Sequence, residues 1–216
     1  MIKTTPSSIA KLTIEQYLSD LGSDKPTPGG GSAVAVCAAQ GAALLSMCLS
    51  VSGKNDERLS NLRFDELLNY LTNARRKLLD LADEDARAFE KVMSSYRLAK
   101  STDEEKKTRK AELQSAFKEA AEVPFNLMEL AADILDNAAD VIKASKSSVI
   151  SDAAIGIDLL YAALKSSRHN VRINLNYIKD EIFVTASESR IKLLTSGRSK
   201  QRKSMQDTIK EILTSR

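Results

Sequence analysis

Apolar residues recur at steps of three and four along most of the chain, the spacing of one face of an α-helix. Thr13-x-x-Gln16 has the form of a capping box ahead of a short apolar face. A break over residues 22–28 ends in Pro28-Gly29-Gly30-Gly31-Ser32, with Ser32 placed to cap the uncharged stretch Ala33 to Val51. Helical spacing without Pro or Gly runs from Asp56 to Ala99. Ser101-x-x-Glu104 is a second capping-box pattern, opening a helix that Pro124 interrupts or restarts. After a polar break at Ser145 to Ser148, Ser151 leads into the run Ala153 to Leu164, and helical spacing continues through Val171, Leu175, Ile178 and Ile182. The one strand-like piece, Ile182 to Thr185, lies inside that period, and Gly197 sets off a final basic helix. The pattern predicts an all-α fold. A single domain over residues 1–216 would form a bundle-like array of about seven helices with a long helical hairpin.

Composition agrees. With 216 residues and 43% apolar side chains the chain can bury a core, and eight glycines, four prolines and no Trp are too few turn-formers for a many-stranded sandwich. Net charge is +3, but residues 190–216 hold eight basic and two acidic side chains. Such a tail can bind nucleic acid or an anion; a solvated helix face is the plainer expectation. The stretch Ala33 to Val51 is long enough to span a bilayer, yet Gln40, its serines and the lack of an aromatic belt favour a buried central helix. Cys37 and Cys48 stand about 16 Å apart along one helix and cannot pair there. No secretory leader pattern opens the chain, so a reducing cytoplasm is expected. Two Cys with the single His169 leave little for a zinc site, and no metal is expected.

Three places could carry chemistry. The stripe Leu71, Ala74, Leu78, Ala82, Phe89, Val92, Tyr96 lacks one apolar member, and the residue in that slot is Asp85. At 100° per residue it lies about 20° from both Leu78 and Val92, while Asp83 points away. A carboxylate on a core-facing stripe needs either a buried partner or a function, and desolvation would lift its pKa toward that of a general acid or base. Gly29-Gly30-Gly31 at a helix entrance offers free N–H groups and close approach to an anion or a flat polar ring, or is plain loop. Asn170 and Asn174 share a helix face, where their carboxamides could read a heterocycle or tie helices together. Ser151-Asp152 reads as a helix cap or a ligand contact.

Taken together, Thr27-Pro28-Gly29-Gly30-Gly31-Ser32, Asp83-Glu84-Asp85-Ala86-Arg87-Ala88-Phe89, Val123-Pro124, Ser151-Asp152 and Asn170-Val171-Arg172-Ile173-Asn174-Leu175 resemble the formiminotetrahydrofolate cyclodeaminase/methenyltetrahydrofolate cyclohydrolase family. That family also forms the C-terminal domain of animal formimidoyltransferase-cyclodeaminase. The resemblance implies an all-α homodimer that closes 5-formiminotetrahydrofolate to 5,10-methenyltetrahydrofolate with loss of ammonia. The related cyclohydrolase reaction interconverts the 5,10-methenyl and 10-formyl forms. It implies no cofactor beyond the tetrahydrofolate substrate, which can carry one or several glutamates, and a separate formimidoyltransferase to supply it; neither membrane nor nucleic acid is a partner. By the same resemblance Asp85 is the catalytic acid. Gly29, Gly30, Gly31 and Ser32 would line the folate site, and Asp152, Asn170 and Asn174 would bond the pterin or orient Asp85. Lys54 and Arg168 would meet the glutamate tail, an expectation from charge alone. Where relatives carry Gly-Asn, this chain has Ser145-Lys146-Ser147-Ser148. A rival reading is a non-catalytic helical protein that has kept the fold and binds a partner through its basic C-terminal helix.

Overall fold

The computed structural model describes residues 8–53 and 59–214, and the only regular structure among them is helical. The helices are α1 (Ile14–Leu21), α2 (Gly30–Ser52), α3 (Asn61–Tyr96), α4 (Asp103–Ala144), α5 (Ile150–Leu175), α6 (Glu181–Thr195) and α7 (Arg198–Thr214), with 3-10 turns at Ile9–Lys11 and Ser147–Val149. The expected all-α array, long hairpin included, is what forms.

α2 packs between α3 and α5, α4 closes the hairpin with α3 and lies against α5, and α6 and α7 cover the outer side of α4 and α5. The small residues of α2 set this arrangement. Ala35, Ala38, Ala42, Leu45 and Leu49 are buried, and Gly41 meets Gly156 where α2 crosses α5. A Cβ on Gly41 would stand 2.7 Å from the Gly156 carbonyl oxygen and 2.8 Å from Leu160 Cγ, so only glycine permits the crossing. α2 and the stretch Ser147–Leu175 are each long and apolar enough to cross a membrane. Their inner faces form the core here. On their outer faces Gln40 and Val51 of α2 and Ile155 and Ala162 of α5 are exposed, with Val36, Met47 and Leu159 half-buried.

Local signals were read to within a turn. Thr13 and Gln16 form the expected capping box. The second box is made by Thr102 and Glu105, one residue later than Ser101-Glu104, because Thr102 takes the extended conformation an N-cap needs. Ser32 is not a cap: Gly29 holds that position without a side-chain bond, and the helix starts at Gly30. Ser151 is not a cap either, since α5 begins at Ile150 after Val149. The helical run ends at Leu175, and a turn then leads to Asp180, which caps α6 through the Phe183 N–H. Ile182 to Thr185 lie in that helix.

Pro124 neither interrupts nor restarts its helix; α4 runs through it. A proline inside a helix removes one N–H and orphans the carbonyl four residues earlier, here that of Ala120. Asn174 Nδ2 supplies the missing donor, 3.2 Å from the Ala120 oxygen.

Three of the eight basic residues of the C-terminal segment are answered inside the molecule. Arg190 bridges Glu122 at 2.7 Å and Glu129 at 2.8 Å, Arg198 pairs with Asp136, and Arg202 with Asp158 at 2.6 Å. The uneven charge along the chain is thus partly a pairing between α6–α7 and the acids of α4 and α5. Cys37 and Cys48 are free thiols.

Candidate active site

Below Ala82 the stripe on α3 is core: Leu71, Ala74, Leu78 and Ala82 are at most 1% exposed. Beyond Ala82 the same stripe leaves the core and becomes one wall of a cleft of about 370 Å³. Asp85, Phe89, Val92 and Tyr96 line it from α3, Phe117 and Ala120 from α4, Asn170, Ile173 and Asn174 from α5, and Gly29 to Gly31 from the entrance of α2. Phe89 is 37% and Tyr96 39% exposed, so both were core positions by period and cleft positions in fact.

Asp85 sits at the glycine end. Its carboxylate accepts the backbone N–H of Ser32, and among the described residues no Lys or Arg pairs with it. Burial pushes its carboxyl above the usual value of 3.8, and the Ser32 N–H only partly offsets this. The partner this carboxylate has is therefore a backbone N–H and not a buried cation. Ser32 has a second task, since its hydroxyl donates to the Ala82 carbonyl at 2.9 Å and fastens α2 to α3 beside Asp85. Gly31 leaves room for this side chain: a Cβ there would overlap the Asp85 carboxylate.

Asn170 and Asn174 differ in what they touch. Asn174 is a tie, donating to the carbonyls of Ala120 at 3.2 Å and Asn170 at 2.9 Å. The Asn170 carboxamide lines the cleft and faces the glycine loop, its Oδ1 3.5 Å from where a Gly30 Cβ would be. At the other end Phe117 stacks on Tyr177 with centroids 4.8 Å apart, and Tyr96 meets Phe117 edge-on at 6.2 Å. The cleft also holds Met93, Phe117 and Tyr177, which the sequence reading does not single out; the α3 stripe continuing past a lone carboxylate is a signal for Met93, while Phe117 on α4 and Tyr177 after α5 join it only through the tertiary fold.

Two expected site residues are elsewhere in the chain's own fold. Asp152 lies at the start of α5, 18 residues or about 27 Å along the helix from Asn170. There, after burial, its charge helps push the Cys48 thiol up to about 11. Arg168 points into a groove between α5 and α6 beside Arg172 and Glu188, its Nε shielded from solvent and without a partner. Lys54 falls outside the described residues. The Ser145–Ser148 stretch is also at the Asp152 end, where the Lys146 N–H donates to Ser52 Oγ at 2.9 Å. Among the described residues no group of three His, Cys, Asp or Glu side chains could hold a metal ion.

A family profile described as formiminotransferase-cyclodeaminase matches residues 13–193. The chain belongs to this family. It is 38% identical over 183 residues to a methenyltetrahydrofolate cyclohydrolase of Methylorubrum extorquens, covering 84% of this chain and 86% of that one. It is 31% identical over 188 residues to the formimidoyltransferase-cyclodeaminase of Sus scrofa, covering 87% of this chain but only 35% of the pig protein's length. The crystal structure of formiminotetrahydrofolate cyclodeaminase from Thermotoga maritima superposes with a TM-score of 0.79 at 28% identity, covering 95% of this chain and 97% of that one. The family expected from the five motifs is the family found. A cyclohydrolase and cyclodeaminases both stand among its similar members.

Proposed function

We propose that this protein is a soluble, cytoplasmic folate enzyme acting on the one-carbon unit between N5 and N10 of a tetrahydrofolate, with Asp85 as its acid–base group. The observation that carries this reading is a carboxylate without a cationic partner, lifted by burial and set at the glycine end of an otherwise uncharged, aromatic cleft. A carboxylate whose pKa is raised by burial is a stronger base than an ordinary one, and once protonated it can return that proton. Gly29 to Gly31, Ser32 and Asn170 would hold the pterin end against it, with Asn174 keeping α4 and α5 in register.

In the cyclohydrolase reaction, water adds to the bridging carbon of the 5,10-methenyl ring and Asp85 takes its proton. The C–N5 bond then breaks, Asp85 returns the proton to N5, the hydroxyl proton leaves to solvent, and 10-formyltetrahydrofolate results. In the cyclodeaminase reaction, N10 attacks the formimino carbon and Asp85 moves the N10 proton to the imino nitrogen. With one further proton from solvent, ammonia departs and the methenyl ring is closed. The resemblance placed cyclodeamination first; the 38% identity to a cyclohydrolase of matching length favours the hydrolytic reading. For the deaminating reaction a separate formimidoyltransferase would supply the substrate.

The test is absorbance of the methenyl chromophore with ammonia followed in parallel. Loss of chromophore from 5,10-methenyltetrahydrofolate above the spontaneous rate supports the hydrolase. Chromophore gained from 5-formiminotetrahydrofolate with matching ammonia supports the deaminase. Neither change removes the enzyme reading and leaves the non-catalytic one.

Two copies of the chain would pair through the open faces of α2 and α5. Ile155 is 52% and Val51 47% exposed on a face with little charge, and a surface of that kind is usually covered. Sedimentation should show a dimer that Ile155→Asp converts to monomer; a monomeric parent protein ends the proposal.

A further inference from the structure

A groove of about 610 Å³ separates α5 from α6, a volume within the range of small-molecule sites, about 300–1,000 Å³. Arg168 and Arg172 line it from α5, Glu188 and Lys192 from α6. Glu188 is the acid among the lining residues, and Arg172 takes it in a fork. The Arg172 Nε donates to one carboxylate oxygen at 3.0 Å and Nη2 to the other at 2.8 Å. Arg168 on α5 and Lys192 on α6 each stand four residues, one turn or about 6 Å, from their member of that pair. Both line the groove, and neither side chain has an acidic or hydrogen-bonding partner among the described residues.

The Arg168 Nε is shielded from solvent and still without an acceptor, which is uncommon for a buried donor. Two cations sharing one groove without counter-charge also repel. A single oxyanion between them supplies both the acceptor and the charge.

This groove is not part of the cleft that holds Asp85. Arg168 and Arg172 are each two residues from Asn170, 200° around the helix at 100° per residue. Cleft and groove therefore lie on opposite sides of α5, and a ligand in the groove is a second molecule.

We propose that the α5–α6 groove binds a phosphoryl group, held by Arg168 and Lys192. Two cations free of acids match a phosphate or phosphate monoester, which carries close to two negative charges near neutral pH; a carboxylate would answer only one of them. The guanidinium fork takes two of its oxygens and the ammonium a third. Val184 and Ile191 line the same groove and give the body of a phosphate ester an apolar flank. Once bound, the group is a tie between α5 and α6 one turn beyond the Arg172–Glu188 pair.

The experiment is isothermal titration of the whole protein with inorganic phosphate, AMP and acetate at low salt. Phosphate should bind at one site per chain, about tenfold or more tighter than acetate, and added sodium chloride should weaken it. AMP binding more tightly than phosphate makes a phosphate ester the source of the group; equal affinities make it free phosphate. Lys192 is exposed, so Lys192→Gln keeps the fold, and it should weaken phosphate about tenfold. Arg168→Lys, which keeps the charge and loses the fork, should weaken it too. Absence of phosphate and AMP binding at concentrations on the order of 10 mM, or an unchanged affinity in Lys192→Gln, overturns the site. Competition between phosphate and tetrahydrofolate would put both in one place and overturn it as well.

Discussion

Gly31 and Asp85 occupy space that only a residue without a Cβ can share: a methyl at position 31 would stand 2.6 Å from even the farther carboxylate oxygen. The α2 backbone therefore approaches the carboxylate closely enough for the Ser32 N–H to hold it. Gly31→Ala should push the Asp85 side chain off this position. Turnover should fall about 100-fold, in the range general acid–base catalysis contributes, while circular dichroism keeps its helical signature. A rate within threefold of the parent would mean that the carboxylate's position is not what the glycine serves.

Removing the charge from Asp85 should separate stability from activity. Its carboxyl is raised above 3.8 by burial, so the folded chain binds this proton more tightly than the unfolded chain does. Stability from this group is then greatest at low pH. It falls as pH rises from the unfolded value through the raised folded one, and the deficit is complete above that. Asp85→Asn should melt higher than the parent protein at pH 7, with the difference vanishing in acid, and should lose 10²- to 10⁴-fold in turnover, the general acid–base range. Thermal melts at several pH values decide the first part; a variant no more stable at pH 7 than the parent contradicts a desolvated carboxylate.

The same shift sets the acid limb of the rate profile. A base that must be ionised loses activity as pH falls through its pKa, so kcat/KM should decline on the acid side at a pH above 3.8, the ordinary carboxylate value. Asp85→Asn should flatten that limb. An acid limb that persists unchanged in the variant would assign it to another group.

Why the cleft position of Asp85 was legible, and the place of Asp152 at the opposite end of α5 from Asn170 was not, follows from what a periodic pattern measures. Period reports which face of a helix is apolar, and a lone carboxylate on such a face stands out. It does not report whether the face meets another helix or a ligand, so Phe89 and Tyr96 read as core although they border the cleft. Nor does it report which end of a helix faces a given loop. Asp152 and Asn170 share α5, and only the tertiary fold reveals that the glycine loop faces Asn170. Pro124 was misread for a related reason. Its break in the hydrogen-bond ladder is repaired by Asn174, 50 residues later, a compensation no local window contains.

That repair can be tested directly. Asn174→Leu raises helix propensity, so a loss of stability would trace to the Ala120 carbonyl left without its donor, and an unsatisfied buried carbonyl costs about 1–3 kcal/mol. Asn174→Leu in a Pro124→Ala background should cost less, because alanine restores the N–H that Ala120 lacks. Denaturant unfolding of the four proteins in this double-mutant cycle gives the coupling between the two positions. Independent, additive effects would show that the carboxamide is not answering the proline, and would return Asn174 to the list of residues held for the ligand alone.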